Sequence, residues 1–231
     1  MPKPKNRIYD RNLRKMFWPG DREFNARVAR LCVLYEDLRI EYHGSRMLKP
    51  IRQLDRLSKM YRQFYFLRRS LVTLIEFQGA LSQINRGRWK HWIEQHQDPV
   101  MRKSWAMSIR YFNENSKRWE ALRGDVGGHY PEAAAKFAVD RLTSNATGSI
   151  EATEIGDSIG DFKLHFCTEL IAVALRKAMD NHQPSEDEFR QFIAEMLQVI
   201  TKGWEHAVGA VQVILVGFLV PKFMAEEVRQ K

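Results

Sequence analysis

Apolar positions in the first part of the chain follow the period of an α-helix. Within residues 21–42 they recur at alternating steps of four and three, as one helical stripe does. The positions of this stripe are Phe24, Val28, Leu31, Tyr35, Leu38 and Tyr42. Asp21 precedes the stripe as an N-cap residue would, and Gly44 follows it as a stop signal. The pattern therefore predicts a first helix over residues 21–42.

The same rhythm continues over residues 50–85 and predicts a long second helix. Its apolar stripe comprises Leu54, Leu57, Tyr61, Phe64, Leu71, Ile75 and Leu81. Arg52, Arg56 and Lys59 share the outer face of this helix, away from the stripe. Residues 85–97 show no clear period, which predicts a loop or a short helix.

Three further segments keep the helical period, namely residues 98–122, 131–142 and 161–179. Ser185 and Glu188 then form a capping box, which predicts the start of a last helix that runs to Pro221. The Gly- and Ser-containing stretch before residue 161 interrupts the pattern. It leaves room for a small hairpin near residues 148–160.

The chain shows no sustained period-two run and no Asn-Gly or Asp-Gly turn, which argues against a substantial sheet. The sequence therefore predicts an all-α protein, a bundle of about six helices, two of them long. Its 231 residues suit one sizeable hydrophobic core. We expect a basic N-terminal arm at residues 1–20 and a single helical domain over residues 21–231.

Composition and cysteine usage indicate a folded cytoplasmic protein. The apolar content of 44% and the charged content of 28% exclude a disordered chain. Residues 1–20 lack the apolar core of a secretory signal. The most apolar stretch, residues 207–220, is shorter than the roughly 20 residues of a membrane helix, which predicts a buried core helix and no stable membrane insertion. Cys32 and Cys167 lie among apolar residues and make no disulfide framework.

Charge is distributed unevenly between the two halves of the chain. Residues 1–120 hold 26 Lys and Arg against 12 Asp and Glu, whereas residues 121–231 hold 11 against 16. A basic half attracts a polyanion such as RNA, and the alternative is a solvated basic surface. The predicted nucleic-acid-binding residues are Arg52, Arg56, Lys59, Arg86, Arg88 and Lys90. Trp89 and Trp92 stand among the last three as stacking surfaces or, alternatively, as core residues.

The segment Arg-Gly-Asp-Val-Gly-Gly-His at residues 123–129 is the strongest candidate for chemistry. It combines a permanent cation, a carboxylate and an imidazole in a glycine-containing turn between two predicted helices. The Arg123 guanidinium can bind phosphate oxygens and stay charged as a phosphorane forms. His129 titrates near neutral pH and can move the proton of a ribose hydroxyl. Asp125 would orient one of the two, and together these groups suffice for RNA cleavage without a metal ion.

This Arg123-x5-His129 segment, with Tyr130 and Pro131 opening the next predicted helix, resembles the motif of the HEPN domains. The resemblance covers about residues 21–142 in architecture, and residues 161–220 are then a helical elaboration. It implies a homodimer in which two such loops face one cleft. RNA is cut there without metal and leaves a cyclic phosphate, with Arg123, His129 and Asp125 as the catalytic residues.

Two other functions remain open from the sequence. The first is a non-catalytic module that binds nucleic acid or nucleotides, because Gly124 stands where the HEPN family often has a polar residue. The second is a protein-interaction module whose long, apolar last helix pairs with another subunit. In a purely structural interpretation, Arg123 caps a helix C-terminus and His129 packs or caps.

No cofactor or metal is predicted. The chain contains no Gly-rich phosphate loop, dinucleotide fingerprint, Cys-x-x-Cys or His-Glu-x-x-His motif. His91 and His96 superficially suggest a metal site, but five residues apart on a helix they diverge by about 140°.

Overall fold

The computed structural model describes residues 21–46, 55–95, 98–126, 132–142, 150–155, 158–164, 166–176, 179 and 185–219. Within these residues the chain forms seven α-helices, one β-hairpin and a π-helical turn. In chain order they are α1 (Arg22–Arg46), α2 (Asp55–Ile84), α3 (Arg88–Glu94), α4 (Pro99–Val126), α5 (Glu132–Asp140), β1 (Ile150–Ile155), β2 (Ser158–Leu164), α6 (Phe166–Arg176), α7 (Glu186–Ile214) and the π turn Leu215–Leu219. The predicted all-α class is confirmed.

Helices α1 and α2 form an antiparallel pair. Arg27 near the start of α1 donates to the carbonyl of Gln83 near the end of α2, at 3.2 Å. Arg30 and Glu76 pair further along, at 2.6 Å. Asp21 caps α1, because its Oδ1 accepts from the backbone N–H of Phe24 at 3.0 Å. The N-cap predicted there is therefore confirmed.

Helix α2 runs through the middle of the bundle and contacts α1, α4, α6 and α7. A helix with neighbours on several sides must be apolar on several sides, and α2 is. Its fully buried side chains include Leu71, Leu74, Phe77 and Ile84. The rings of Phe77 and Phe112 of α4 lie 5.2 Å apart and join these two helices in one core.

Helix α7 packs into the groove between α1, α2 and α4. A Cβ at Gly203 would lie 2.7 Å from Leu74 of α2, so glycine permits this close approach of the two helices. The ring of Trp204 stacks on both Tyr35 and Tyr42 of α1, with centroids 5.1 and 5.3 Å away. The inner face of α7 is therefore packed against helices of the same chain.

Side chains of α4 also bond to the backbone of α7. Ser108 Oγ donates to the carbonyl of His206 at 2.9 Å, and Tyr111 Oη donates to that of Val199 at 2.8 Å. Both residues belong to a helix that is long and continuous from Pro99. These hydrogen bonds fix the register between α4 and α7.

The hairpin lies where the sequence left room for one, but it extends further than predicted. Ile150 pairs with Leu164 and Thr153 with Asp161, with an irregularity in the register after Thr153. The predicted helix start at residue 161 is therefore wrong, because residues 161–164 belong to β2. Gly160 is a poor helix former, and pairing with β1 satisfies the backbone groups of this segment instead.

The last helix changes form before the predicted end at Pro221. Its α-helical part ends at Ile214, and residues 215–219 form the π turn. A Cβ at Gly217 would lie 2.2 Å from the ring of Trp92, so the π turn sits directly against α3. Residues 220–231 lie outside the described part of the chain. Among the described helices, none combines the length and the apolarity needed to cross a membrane.

The predicted capping box at the start of α7 is present. The N–H of Glu188 donates to Ser185 Oγ at 3.3 Å, and the N–H of Ser185 donates to Glu188 Oε2 at 2.6 Å. We expect Ser185→Ala to lower the free energy of unfolding by about 1 kcal/mol, measured by urea unfolding. Ser116→Ala, within α4, is the matched control and should cost nothing, because alanine is the better helix former. Equal stability of the two variants would contradict the capping role.

Candidate functional site

Arg123 lies in the last turn of α4. The helix runs on through Val126, so the predicted helix end near Leu122 is one turn too early. A single glycine inside a helix costs only about 1 kcal/mol, which explains why Gly124 does not end α4. His129 falls in residues 127–131, outside the described part of the chain. The predicted turn therefore begins after Val126 rather than at Arg123.

The Arg123 side chain is exposed, and it has no ion pair with any described residue. Its charge stands at the C-terminal end of a 28-residue helix, where the partial negative charge of the helix dipole favours a cation. Arg118, five residues earlier on the same helix, contrasts with it, because its guanidinium lies 3.8 Å from Glu195 of α7. Arg123 is thus available to an anion from solution.

The predicted nucleic-acid-binding residues that the structure describes lie in two groups along the chain. Arg56 and Lys59 lie at the start of α2, and Arg86 follows its end. The 25 residues from Lys59 to Ile84 separate these two groups by about 38 Å along the helix. Arg52 lies outside the described residues, and only the backbone is described for Arg56, Lys59 and Arg88.

The second of these groups lies around α3. Arg86 is exposed, whereas Lys90 Nζ lies 3.6 Å from Glu94 Oε1 one turn further along the helix. Its two tryptophans stack on each other with ring centroids 4.4 Å apart, and Trp89 is only 6% exposed. Trp92 is half-buried against the π turn. These rings belong to the core, so the core alternative is correct and the stacking surface predicted here is wrong.

Helix α1 contributes little to the basic surface. Residues 21–46 carry five basic and five acidic side chains. The cations pair with the acids nearby, as Arg30 does with Glu76 of α2 and Arg39 with Glu36 at 2.7 Å. Residues 55–95, in contrast, carry eight basic side chains and three acidic ones. Within the described residues, the positive charge of the first half is concentrated on and after α2.

A buried polar cluster between α1 and α2 was not predicted from the sequence. Thr73 Oγ1 donates to Glu41 Oε1 at 3.0 Å, and Arg69 Nε lies 3.5 Å from the same oxygen. Glu41 Oε2 is buried without a hydrogen-bond partner among the described residues. Burial raises the pKa of Glu41 to about 7, although the Thr73 hydrogen bond and the Arg69 charge lower it. Glu41 follows Leu38 by three residues, a spacing that places it on the buried stripe.

Among the described residues, the two thiols and the clusters of potential metal ligands offer no further site. Cys32 and Cys167 are both free and half-buried. Burial raises the pKa of the Cys32 thiol, which disfavours the reactive thiolate. Among the described residues, no group of three or more His, Cys, Asp or Glu side chains is placed to hold a metal ion. Arg123 thus remains the best candidate for a functional residue among those that the structure describes.

Comparisons of the chain with protein-family models, with curated proteins and with solved structures gave no match. The resemblance of the Arg123–His129 segment to the HEPN motif therefore stays a prediction.

Proposed function

We propose that this protein is a homodimer of the HEPN type that cleaves RNA without a metal ion. In this proposal Arg123 and His129 act on the phosphate. The observation that carries the proposal is the Arg123 side chain. It is exposed at the end of a 28-residue helix, and it has no ion pair within the described part of the chain. A cation in that position is ready to bind a phosphate.

Covalent geometry keeps the two residues within reach of one phosphate. His129 comes three residues after Val126, and three residues of extended chain span at most about 11 Å. The long side chain of Arg123 starts one helical turn before Val126. A phosphate near the end of α4 can therefore contact both the guanidinium and the imidazole.

The chemistry follows from the two groups. The 2′-hydroxyl oxygen of a ribose attacks the adjacent phosphorus, His129 accepts the hydroxyl proton, and the bond from phosphorus to O5′ breaks. Arg123 stabilises the charge that develops on the pentacoordinate phosphate. The products are a cyclic phosphate and a free 5′-hydroxyl. In a homodimer the second imidazole supplies the proton that the leaving O5′ takes up.

Asp125 lies two residues after Arg123, in the last turn of α4. In the proposal its carboxylate orients Arg123 or His129 and does not contact the substrate.

Cleavage in EDTA tests this function. We expect the parent protein to cut single-stranded RNA, and His129→Ala and Arg123→Ala each to lower the rate by about 100-fold, the lower end of what an acid-base residue contributes. Denaturing gels with a cyclic-phosphate-specific ligation measure the rate and the product end. His43→Ala is the matched control, because His43 is an exposed histidine on α1.

Several outcomes would reject the proposal. Cleavage by His129→Ala at the parent rate would exclude His129 as the base or acid. Cleavage that requires Mg²⁺, or cleavage of DNA as fast as RNA, would exclude attack by the 2′-hydroxyl. Light scattering adds an independent check, because a strict monomer contradicts a cleft built from two loops.

The second candidate function is RNA binding without cleavage. The observation that favours it is the helical conformation of residues 123–126, which puts Gly124 inside α4 where the HEPN family often has a polar side chain. Binding without any product in EDTA would select this candidate over the first.

A further inference from the structure

One stretch of α2 is basic and contains no acid. Residues 56–75 include five cations and no Asp or Glu. The cations are Arg56, Lys59, Arg62, Arg68 and Arg69. Residues 42–55 before it hold a single acid, Asp55. Such a run on a continuous helix forms a local positive potential that neighbouring residues in sequence do not cancel.

Two exposed tyrosines interleave with these cations. Tyr61 is 38% exposed and Tyr65 is 47% exposed, both large fractions for an aromatic residue of a bundle. Arg62 is exposed, and the Arg69 side chain is 43% exposed. At about 100° per residue these four positions fall within an arc of about 100° on one side of α2. We call them the α2 ridge.

Contacts with α1 hold the ridge in place. The Tyr65 and Phe66 rings form a T-shaped pair with centroids 5.3 Å apart, and a Cβ at Gly44 of α1 would lie 2.6 Å from the Phe66 ring. Arg69 is held from one side by Glu41 at 3.5 Å. Arg62 has no ion pair among the described residues. The ridge therefore presents to solvent two supported aromatic rings and the Arg62 cation.

We infer that the α2 ridge binds single-stranded RNA, with bases stacked on Tyr61 and Tyr65 and phosphates bound by Arg62 and Arg69. Exposed aromatic rings between cations are how proteins bind single strands without reading sequence. Rings can stack only on bases that are free of a duplex, so paired RNA fits this surface poorly. The inference rests on the proposed function for the choice of RNA as the polymer.

The two cations of the ridge are spaced to contact one strand. The ridge lies at the start of α2, whereas Arg86 and α3 lie beyond its end. Positions 62 and 69 are seven residues apart, about 10.5 Å along the helix axis, so both guanidinium groups can contact one strand. In this inference the ridge binds a single strand whose continuation reaches Arg123 and His129.

Binding of an uncleavable strand tests the inference. The probe is a fluorescent 2′-O-methyl oligouridine, in which the attacking hydroxyl is blocked, and fluorescence anisotropy gives Kd. We expect Tyr61→Leu and Tyr65→Leu each to raise Kd at least about fivefold, because each removes one stacking surface. Tyr65→Phe keeps the ring and should stay within about twofold of the parent.

The salt dependence of Kd tests the role of the cations. Arg62→Gln should reduce the slope of log Kd against log salt by about 0.7, the value for one phosphate contact on a single strand. Lys103→Gln removes an exposed cation of α4 and is the matched control, expected to leave the slope and Kd at the parent values. Circular dichroism of each variant checks that the helices are intact.

The outcomes separate the ridge from the catalytic proposal. Parent-like Kd for Tyr61→Leu, Tyr65→Leu and Arg62→Gln would overturn the ridge, even if the parent cleaves RNA. Loss of binding in these variants supports the ridge, even if no RNA is cleaved. A duplex that binds as tightly as the single strand, or an acidic peptide that binds more tightly, would also overturn it.

Discussion

The Trp119→Ala variant is expected to have a free energy of unfolding about 3–5 kcal/mol lower than that of the parent protein. Trp119 is fully buried in α4, and its ring lies 5.4 Å from that of Phe112 and 5.9 Å from that of Tyr111. Removal of the indole leaves a cavity at the junction of α4 and α7, because Tyr111 also bonds to the backbone of Val199. Helices on both sides can collapse into such a space only partly.

The Trp119→Phe variant separates the effect of lost side-chain volume on stability from the effect of the buried indole N–H. The indole Nε1 is buried without an acceptor among the described residues, so its removal relieves an unsatisfied donor. We therefore expect Trp119→Phe to cost less than about 2 kcal/mol, well below the alanine variant. Met107 on the same helix is 50% exposed, and Met107→Ala should change stability by less than about 0.5 kcal/mol. Urea unfolding at fixed pH measures all three, and equal losses for Trp119→Ala and Met107→Ala would contradict the packing.

The Glu41→Gln variant is expected to be more stable than the parent at pH 8, by about 1–2 kcal/mol after allowance for solvent screening and for the lost attraction to Arg69. Glu41 is buried between α1 and α2, and burial raises its pKa from the ordinary 4.5 to about 7. At pH 8 the folded parent must bury a charged carboxylate, which Arg69 and Thr73 support among the described residues. Glutamine keeps an oxygen for the Thr73 hydroxyl and removes the charge.

The sign of the pH dependence follows from the raised pKa. The contribution of Glu41 to stability is fully present below pH 4.5, and it is lost as pH rises toward about 7. The carboxyl of Asp37 raises this pKa as well, and the Arg69 guanidinium keeps it from rising further. Urea unfolding of parent and Glu41→Gln at pH 5 and pH 8 measures the difference. Parallel curves of stability against pH for the two proteins would rule out Glu41 as the titrating group.

The helices could be predicted from the sequence because their apolar positions repeat with the helical period. The first stripe shows the limit of that signal. Leu31 and Leu38 are fully buried as predicted, whereas Tyr42 is only half-buried and Glu41 takes the inner position beside it. Period alone cannot choose between adjacent positions at the edge of a stripe. The neighbouring helix α2 decides, since it supplies Thr73 and Arg69 for the carboxyl.

Tertiary contacts also explain what the sequence missed at the candidate sites. Tyr61 matched the apolar stripe of α2, yet it is 38% exposed. Trp89 stood among cations in the sequence and is nevertheless a core residue. The end of α4 lies at Val126, one turn beyond the predicted end near Leu122. The surroundings of Tyr61 and Trp89 come from distant parts of the chain, which the local pattern does not show.

The position of α7 has a consequence for folding during synthesis. This helix begins at Glu186, yet it fills the groove between α1, α2 and α4, all of which end before residue 127. Until its residues leave the ribosome, the faces that meet Gly203 and Trp204 stay open to solvent. A nascent chain therefore carries an unfinished core for most of its translation, and chaperones that bind apolar surface have their longest access to it during that interval.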